Sequence, residues 1–206
     1  MRRLAILGAG GHGKVVAETA EAAGWNQVVF YDDTLPVNIG GQFSPVFGDS
    51  LVLISQLEEF DGVVVAVGDN HIRSLKQNEL SVAGANLISL QHPSAIISNQ
   101  SSVEPGSVIF ANAVINASAR IGSGSIINTG AVVEHDCSIG DFCHIGPGAI
   151  LAGGVVMQDF CFVGAGAAVK PKVMFGESSI AGVGSVVINN VPAGEVVIGN
   201  PARVIS

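Results

Sequence analysis

From Ala95 to Asn190 the chain divides into consecutive sixes: AIISNQ, SSVEPG, SVIFAN, AVINAS, ARIGSG, SIINTG, AVVEHD, CSIGDF, CHIGPG, AILAGG, VVMQDF, CFVGAG, AAVKPK, VMFGES, SIAGVG and SVVINN. The third letters run Ile97, Val103, Ile109, Ile115, Ile121, Ile127, Val133, Ile139, Ile145, Leu151, Met157, Val163, Val169, Phe175, Ala181 and Val187, and every one is apolar. First letters are only Ala, Ser, Cys or Val, as a cramped inward position requires. Gly, Asn and Asp crowd the last three letters, where a turning chain needs residues tolerant of unusual backbone angles. A six-residue repeat cannot bury its apolar letter alone, so the repeats must stack into a β-helix in which each coil covers its neighbours. Three hexads per coil give about five coils, roughly 25 Å tall at the usual strand spacing.

Upstream of Pro93 the period of six is absent. Short apolar runs alternate with helix-like segments: Leu4–Leu7, Lys14–Ala23, Val28–Tyr31, Leu51–Phe60, Val63–Val67, Asn70–Val82 and Leu87–Leu90. This βαβ order predicts a small parallel sheet flanked by helices. The chain therefore divides into an α/β, Rossmann-like domain over residues 1–92 and a β-helix over residues 93–206. Gly8-Ala9-Gly10-Gly11-His12-Gly13 fits G-x-G-x-x-G between a strand and a helix, with Asp32-Asp33 about twenty residues later at the end of the second strand. Taken alone this is a dinucleotide fingerprint: glycines admit phosphates to the helix N-terminus and an acid grips a ribose. The domain is half the usual size for NAD, and the same chemistry serves a uridine or guanosine diphosphate. Gly68-Asp69-Asn70, after the third strand, completes the expected cleft.

Charged residues make up 13% of the 206 and hydrophobic ones 48%, with a net charge of −8. The acidic balance and the lack of a Lys/Arg cluster exclude a nucleic-acid partner, which needs a basic face to replace counterions. Apolar runs such as Val63–Val67 are far too short to span a bilayer. Leu4–Leu7 ends in a glycine-rich loop, so it is read as a first strand, not as a signal peptide. Cys137, Cys143 and Cys161 lack zinc-site spacing, and an odd total suits a disulfide framework poorly. These features place the chain in the cytoplasm, with no metal expected.

From His92 onward the hexads resemble the left-handed β-helix of bacterial hexapeptide acyltransferases. More specifically, Ile127 to Gly146, with His135-Asp136 and His144, together with the Gly8 loop and the closing Ile198-Gly-Asn-Pro-Ala, resembles one branch. That branch holds the UDP-4-amino-sugar N-acetyltransferases of bacillosamine synthesis, the GDP-perosamine N-acetyltransferases and the sialic acid O-acetyltransferases. The resemblance implies a homotrimer with acetyl-CoA in the groove between neighbouring β-helices and a sugar nucleotide on the N-terminal domain. It also implies that His135 takes a proton from the acceptor while Asp136 orients it. His144 falls where the acetyl thioester is contacted, and Ala165 and Val183 fall where backbone meets the pantetheine arm, although some relatives have glycine at the latter. The nucleotide-sugar set is Gly10, Gly11, His12, Asp32, Asp33 and Gly68.

Acetyl transfer from a thioester needs a base for the acceptor's proton and donors for the oxyanion. Imidazole, with an ordinary pKa of about 6.5, suits the base, and an adjacent carboxylate fixes its tautomer. His135-Asp136, in the fifth and sixth letters of a hexad, belongs at a corner. His144 lies nine residues on, half of an eighteen-residue coil, so the two histidines face different ways and a site using both draws on two subunits. His12 either meets a diphosphate or packs in its loop; His71 and His92 read as structural, and the cysteines as small inward residues. The reading is an acetyltransferase acting on a nucleotide-linked 4-amino-4,6-dideoxy sugar in glycan biosynthesis. The alternatives are a sialic acid O-acetyltransferase and a sugar-nucleotide sensor or scaffold. A γ-type carbonic anhydrase needs three metal-binding histidines, and the repeats hold two.

Overall fold

The structure is a computed structural model that describes residues 2–34 and 45–205. Its N-terminal part is a three-stranded parallel sheet of β1 (Arg3–Leu7), β2 (Gln27–Tyr31) and β3 (Gly62–Val65), in the order β2-β1-β3. Helices α1 (Gly11–Ala22), α2 (Ser50–Ser55) and α3 (Asn70–Val82) connect and flank the strands. The Asp49 carboxylate caps α2 by accepting from Val52 N at 2.9 Å, and Asp69 caps α3 by accepting from Ile72 N at 2.9 Å. Each cap satisfies one of the amides that a helix start leaves without an intrahelical partner.

Gly8 and Gly13 hold the strand–helix turn closed. A β-carbon at Gly13 would lie 2.2 Å from the Gly8 carbonyl oxygen, and one at Gly8 would lie 2.5 Å from that of Ala66. Among the described residues, Gly10 and Gly11 have no heavy atom within 4 Å of such a β-carbon, so they leave the loop open. The fingerprint thus separates into two packing glycines and two that admit a ligand.

The rest of the chain is a three-faced parallel β-helix. Its first face carries two-residue rungs at Leu90–Gln91, Val108–Ile109, Ile126–Ile127, His144–Ile145, Phe162–Val163 and Ile180–Ala181, closed by Val196–Gly199. The second face runs from Ile96–Ile97 to Val186–Val187, and the third from Ser102–Val103 to Met174–Phe175. The expected inward column points inward: its residues from Ile109 to Val187 are buried, and Ile97 and Val103 pack half-buried against the same core.

The first letters also point inward, and several of their polar atoms find coil carbonyls, whereas Ser185 Oγ finds no partner among the described residues. Ser107 Oγ donates to Gly122 O at 2.8 Å, and Cys143 Sγ and Cys161 Sγ reach Gln158 O and Gly176 O at 3.1 and 3.0 Å. Cysteine therefore serves here as serine does, buried and hydrogen-bonded. The sixth letter sets the corners. From Gly106 to Gly184 every sixth residue is left-handed, with φ between 54° and 76°. Glycine, Asn, Ser and Asp suit this, whereas Phe142, Phe160 and Lys172 hold it at some strain.

Two expectations are corrected. The helix has about six turns, not five, because Leu90–Gln91 pairs with Val108–Ile109 ahead of the first hexad. Gln91 occupies the inward letter at the open end, where solvent replaces a covering coil, so no apolar residue marks it. At the other end Val191 pairs with Phe175 and Val197 with Ala181, sixteen residues apart instead of eighteen, and the six-letter cut loses register. Leu87–Leu90 is not a fourth strand: Leu87 makes a single bridge to Val63, and Leu90 belongs to the β-helix.

The two parts share a core. Leu90, Val108 and Ile126, the outward residues of the lower first face, are buried against Leu4, Ile6, Val16 and Phe30 of the α/β part. His144 is the next outward residue on that face, so it stands where the cover ends.

Candidate active site

His135 and Asp136 stand at the corner between the second and third faces, with Nδ1 2.8 Å from Asp136 Oδ2 and side chains 63% and 66% exposed. The hydrogen bond to Asp136, aided by the Asp136 and Glu134 charges, raises the imidazole above its ordinary pKa. The carboxylate occupies Nδ1, so neutral His135 carries its proton there and Nε2 is the ring's basic nitrogen.

His144 is a different kind of histidine. Burial, then the charge of Arg73 and the neighbouring His12, lower its pKa to about 3, so it is neutral. Asn128 Oδ1 accepts from Thr129 N at 2.8 Å, which turns the Asn128 amide nitrogen toward His144 Nε2, 3.0 Å away. Nε2 is therefore an acceptor and the single proton is on Nδ1, on a ring that also faces the Gly68 carbonyl. Phe162 from the rung above meets the ring edge to face, with centroids 5.1 Å apart. Ala165 and Val183 stack one coil apart at the corner where the first face turns into the second, joined by Gly184 N to Ala165 O at 2.9 Å. Val183 is 77% exposed, and the two form an open edge leading up from His144. Within one chain this edge and the His135 corner are on different sides of the prism.

Gly10, Asp32 and Asp33 meet in a cleft of about 260 Å³ at the carboxyl edge of the sheet, with Gly8, Val67 and Lys76. Both carboxylates are already engaged. Asp32 accepts from Ala9 N and Thr34 N, each at 2.8 Å, and Asp33 accepts from Ser50 N at 2.7 Å and pairs with Lys76 Nζ at 2.9 Å. Burial pushes both carboxyls up, but these bonds outweigh it and both stay below the ordinary value. Gly11 is exposed at the start of α1. His12 turns inward, edge-on to Phe110 at 5.5 Å, and burial followed by the Arg73 charge lowers its pKa to about 4. Its Nε2 is buried without a partner among the described residues. Gly68 lies apart from this cleft, in a hollow of about 300 Å³ with Asn70, His71, Phe162 and Ile180, beside His144. Of the expected nucleotide set, Gly10, Asp32 and Asp33 thus share one recess and Gly68 lines another, while Gly11 and His12 line neither.

The residue that sequence reasoning missed is Arg73. It is wholly buried at the junction of the two parts. Nε donates to Gly124 O at 2.6 Å, Nη1 to Val67 O and Gly68 O at 3.0 and 3.2 Å, and Nη2 to Asn70 Oδ1 and Phe142 O at 2.8 and 3.0 Å. These bonds fasten the loop before α3 to two coils of the β-helix. Asn70 Nδ2 adds a bond to Phe160 O at 2.9 Å, and His71 stacks on Phe160 with centroids 4.6 Å apart, so the strained aromatic corners receive the start of α3. Nothing in a polar helix sequence distinguishes Arg73 from a solvated arginine. Among the described residues, no three His, Cys, Asp or Glu side chains cluster to hold a metal ion, and no helix is long and apolar enough to cross a membrane.

Residues 3–80 match the PglD N-terminal domain, and residues 136–171 match the bacterial transferase hexapeptide family (six repeats). UDP-N-acetylbacillosamine N-acetyltransferase of Bacillus subtilis (strain 168) is 40% identical over 115 residues, 54% of this chain and 52% of that one. That match spans about half the length of the curated relative. Two solved structures match end to end. The acetyltransferase domain of PglB from Neisseria gonorrhoeae FA1090, in complex with acetyl coenzyme A, is 40% identical over 99% of each chain with a TM-score of 0.94. PerB from Caulobacter crescentus, in complex with CoA and GDP-perosamine, is 39% identical over 100% of this chain and 98% of that one, also with a TM-score of 0.94. With two full-length matches near 40% identity on an α/β part joined to a left-handed hexapeptide β-helix, the chain belongs to the hexapeptide-repeat sugar acetyltransferases, a family of acetyl-CoA-dependent acyltransferases.

Proposed function

We propose that this chain transfers the acetyl group of acetyl-CoA to the amino group of a nucleotide-linked 4-amino-4,6-dideoxy sugar, with His135 as general base. The observation that carries it is the exposed His135–Asp136 pair at 2.8 Å, a base whose tautomer the carboxylate holds. Relatives bound to acetyl coenzyme A, and to CoA with GDP-perosamine, support both substrates. Residues 1–92 hold the nucleotide sugar through Gly10, Gly11, His12, Asp32, Asp33 and Gly68, and residues 93–206 carry the transfer. Acetyl-CoA lies along the His144, Ala165 and Val183 edge. The chain acts in the cytoplasm, which supplies both substrates.

The amine attacks the thioester carbonyl carbon, a C–N bond forms and the carbonyl oxygen becomes an oxyanion. His135 Nε2 takes the amine proton, and Asp136 stabilises the resulting imidazolium. The C–S bond then breaks, and the proton passes from His135 to the leaving thiolate to give CoA. Neutral His144, with both ring nitrogens occupied, is a fixed polar wall beside the acetyl group.

A homotrimer brings the His135 corner of one chain to the His144 edge of its neighbour. The outward residues of the second face support it: Ile96, Val114, Val132, Ile150, Ala168 and Val186 are all apolar, with Ile96 67% and Ile150 46% exposed. Such a continuous apolar strip marks an interaction surface. The test is a panel of UDP- and GDP-linked 4-amino-4,6-dideoxy sugars alongside sialic acid, with free-thiol release from acetyl-CoA as readout. Release with an amino-sugar nucleotide is expected; release with sialic acid alone assigns O-acetylation instead.

A further inference from the structure

One coil above His135, eighteen residues on, stands Gly153, in the fifth letter of AILAGG. Its backbone shows no left-handed φ, so conformational freedom does not call for glycine. Space does. A β-carbon on Gly153 would lie 2.6 Å from both Cε1 and Nε2 of His135 and 3.2 Å from Nδ1, well inside ordinary van der Waals contact. The imidazole therefore lies against the Gly153 backbone and fills the volume that a side chain would take. The backbone around it is tied on both sides: Gly154 N donates to His135 O at 2.9 Å, and Lys172 N donates to Gly153 O at 3.1 Å. The ring can yield, because it is mostly exposed.

We propose that Gly153 is a positioning residue for His135: its missing side chain lets the imidazole lie back on the coil above while Asp136 holds Nδ1. The proposal rests on His135 as the base. Any β-carbon at 153 pushes the ring outward by most of an ångström, away from the rotamer that keeps the Asp136 bond. A displacement of about 1 Å in a catalytic group lowers turnover up to about 10²-fold, so Gly153→Ala is expected to lower kcat by about 10- to 100-fold.

The test is a double-mutant cycle on the full chain, with GDP-perosamine and UDP-4-amino-4,6-dideoxy-N-acetylglucosamine as acceptors and the melting temperature recorded for each variant. If Gly153 acts through His135, Gly153→Ala adds nothing to the loss in His135→Ala, and any drop in melting temperature caused by the alanine is relieved in the double variant. A Gly153→Ala kcat within twofold of wild type, or losses that multiply in the double variant, overturns the proposal. The charged groups around the ring are Asp136 and Glu134 on its own turn and Lys172 two coils above Asp136. An NMR titration of the His135 ring is independent of catalysis: Gly153→Ala lowers its midpoint toward that of free histidine, and an unmoved midpoint overturns the positioning role. If His135→Ala retains full activity but the midpoint moves, the base assignment fails and the positioning contact stands.

Discussion

Replacing Arg73 by lysine keeps the buried charge but removes most of the geometry that justifies it. The guanidinium has five N–H groups, spent on Gly124 O, Val67 O, Gly68 O, Asn70 Oδ1 and Phe142 O, with Cys143 O at a longer 3.4 Å. A lysine ammonium has three donors on a single atom and cannot span acceptors on α3 and on two coils at once. Cys143 O keeps the Ile126 N–H at 2.9 Å and loses least. At least two of the other acceptors are stranded, and at about 1–3 kcal/mol for each buried unsatisfied group the loss is about 2–6 kcal/mol. For a chain of this size that lowers the melting temperature by roughly 5–20 °C. Differential scanning calorimetry at fixed protein concentration reads it, since assembly links stability to concentration. Arg73→Met strands Gly124 O, Val67 O, Asn70 Oδ1 and Phe142 O but relieves the desolvated charge, so the two variants are destabilised comparably and not in the order of charge retained. A melting temperature for Arg73→Lys within 2 °C of wild type refutes the view that the fork of hydrogen bonds, and not the charge, joins the two parts.

His12 and His144 bear on acid stability. Their folded pKa values, about 4 and about 3, lie below the ordinary value, so the unfolded chain binds protons first as pH falls below 6.5. Stability is therefore fully present above about pH 6.5 and falls by roughly 2–3 kcal/mol between pH 6 and pH 5 when both contribute. Urea melts across that range check this, and an equally steep slope in His144→Gln contradicts it. Asp136→Asn keeps a residue that tolerates the left-handed corner (φ 60°) but loses the charge that raises His135. The acid limb of its pH–kcat profile moves to lower pH while the plateau falls; a limb that stays in place contradicts the pairing. Ile150→Asp, on the apolar second face, is expected to separate the proposed trimer into monomers by light scattering, and an assembly left intact moves the interface elsewhere.

The β-helix is readable from its sequence because two letters of each hexad answer to physical demands that recur every coil. The third letter must be apolar, and the sixth must accept a left-handed backbone, as Asn112, Ser118 and Asp136 do. Reading fails where those demands lapse: at Gln91, whose inward position faces solvent, and in the closing coil, shortened by two residues. The glycine fingerprint is legible as a motif, but only packing separates Gly8 and Gly13 from Gly10 and Gly11. Coil arithmetic places Gly153 above His135, a contact available to anyone counting eighteen residues. No such arithmetic reaches Arg73, because its partners Gly124 and Phe142 belong to coils that fold back from far along the chain. Nor does sequence disclose that His144 and His135, both half a coil from the next, differ so widely in proton affinity. Burial beside a cation lowers one, and an exposed carboxylate raises the other.

His135 is proposed to remove the acceptor's proton during acetyl transfer. The most direct measurement of this role is the kcat of His135→Ala at neutral pH, by free-thiol release with a nucleotide-linked 4-amino-4,6-dideoxy sugar that the unaltered chain acetylates. General-base catalysis contributes about 10²–10⁴-fold, so a loss of that size is expected, with acetyl-CoA affinity preserved. If the variant keeps more than about a tenth of the original kcat, positioning of the two substrates supplies the acceleration and the base assignment is wrong.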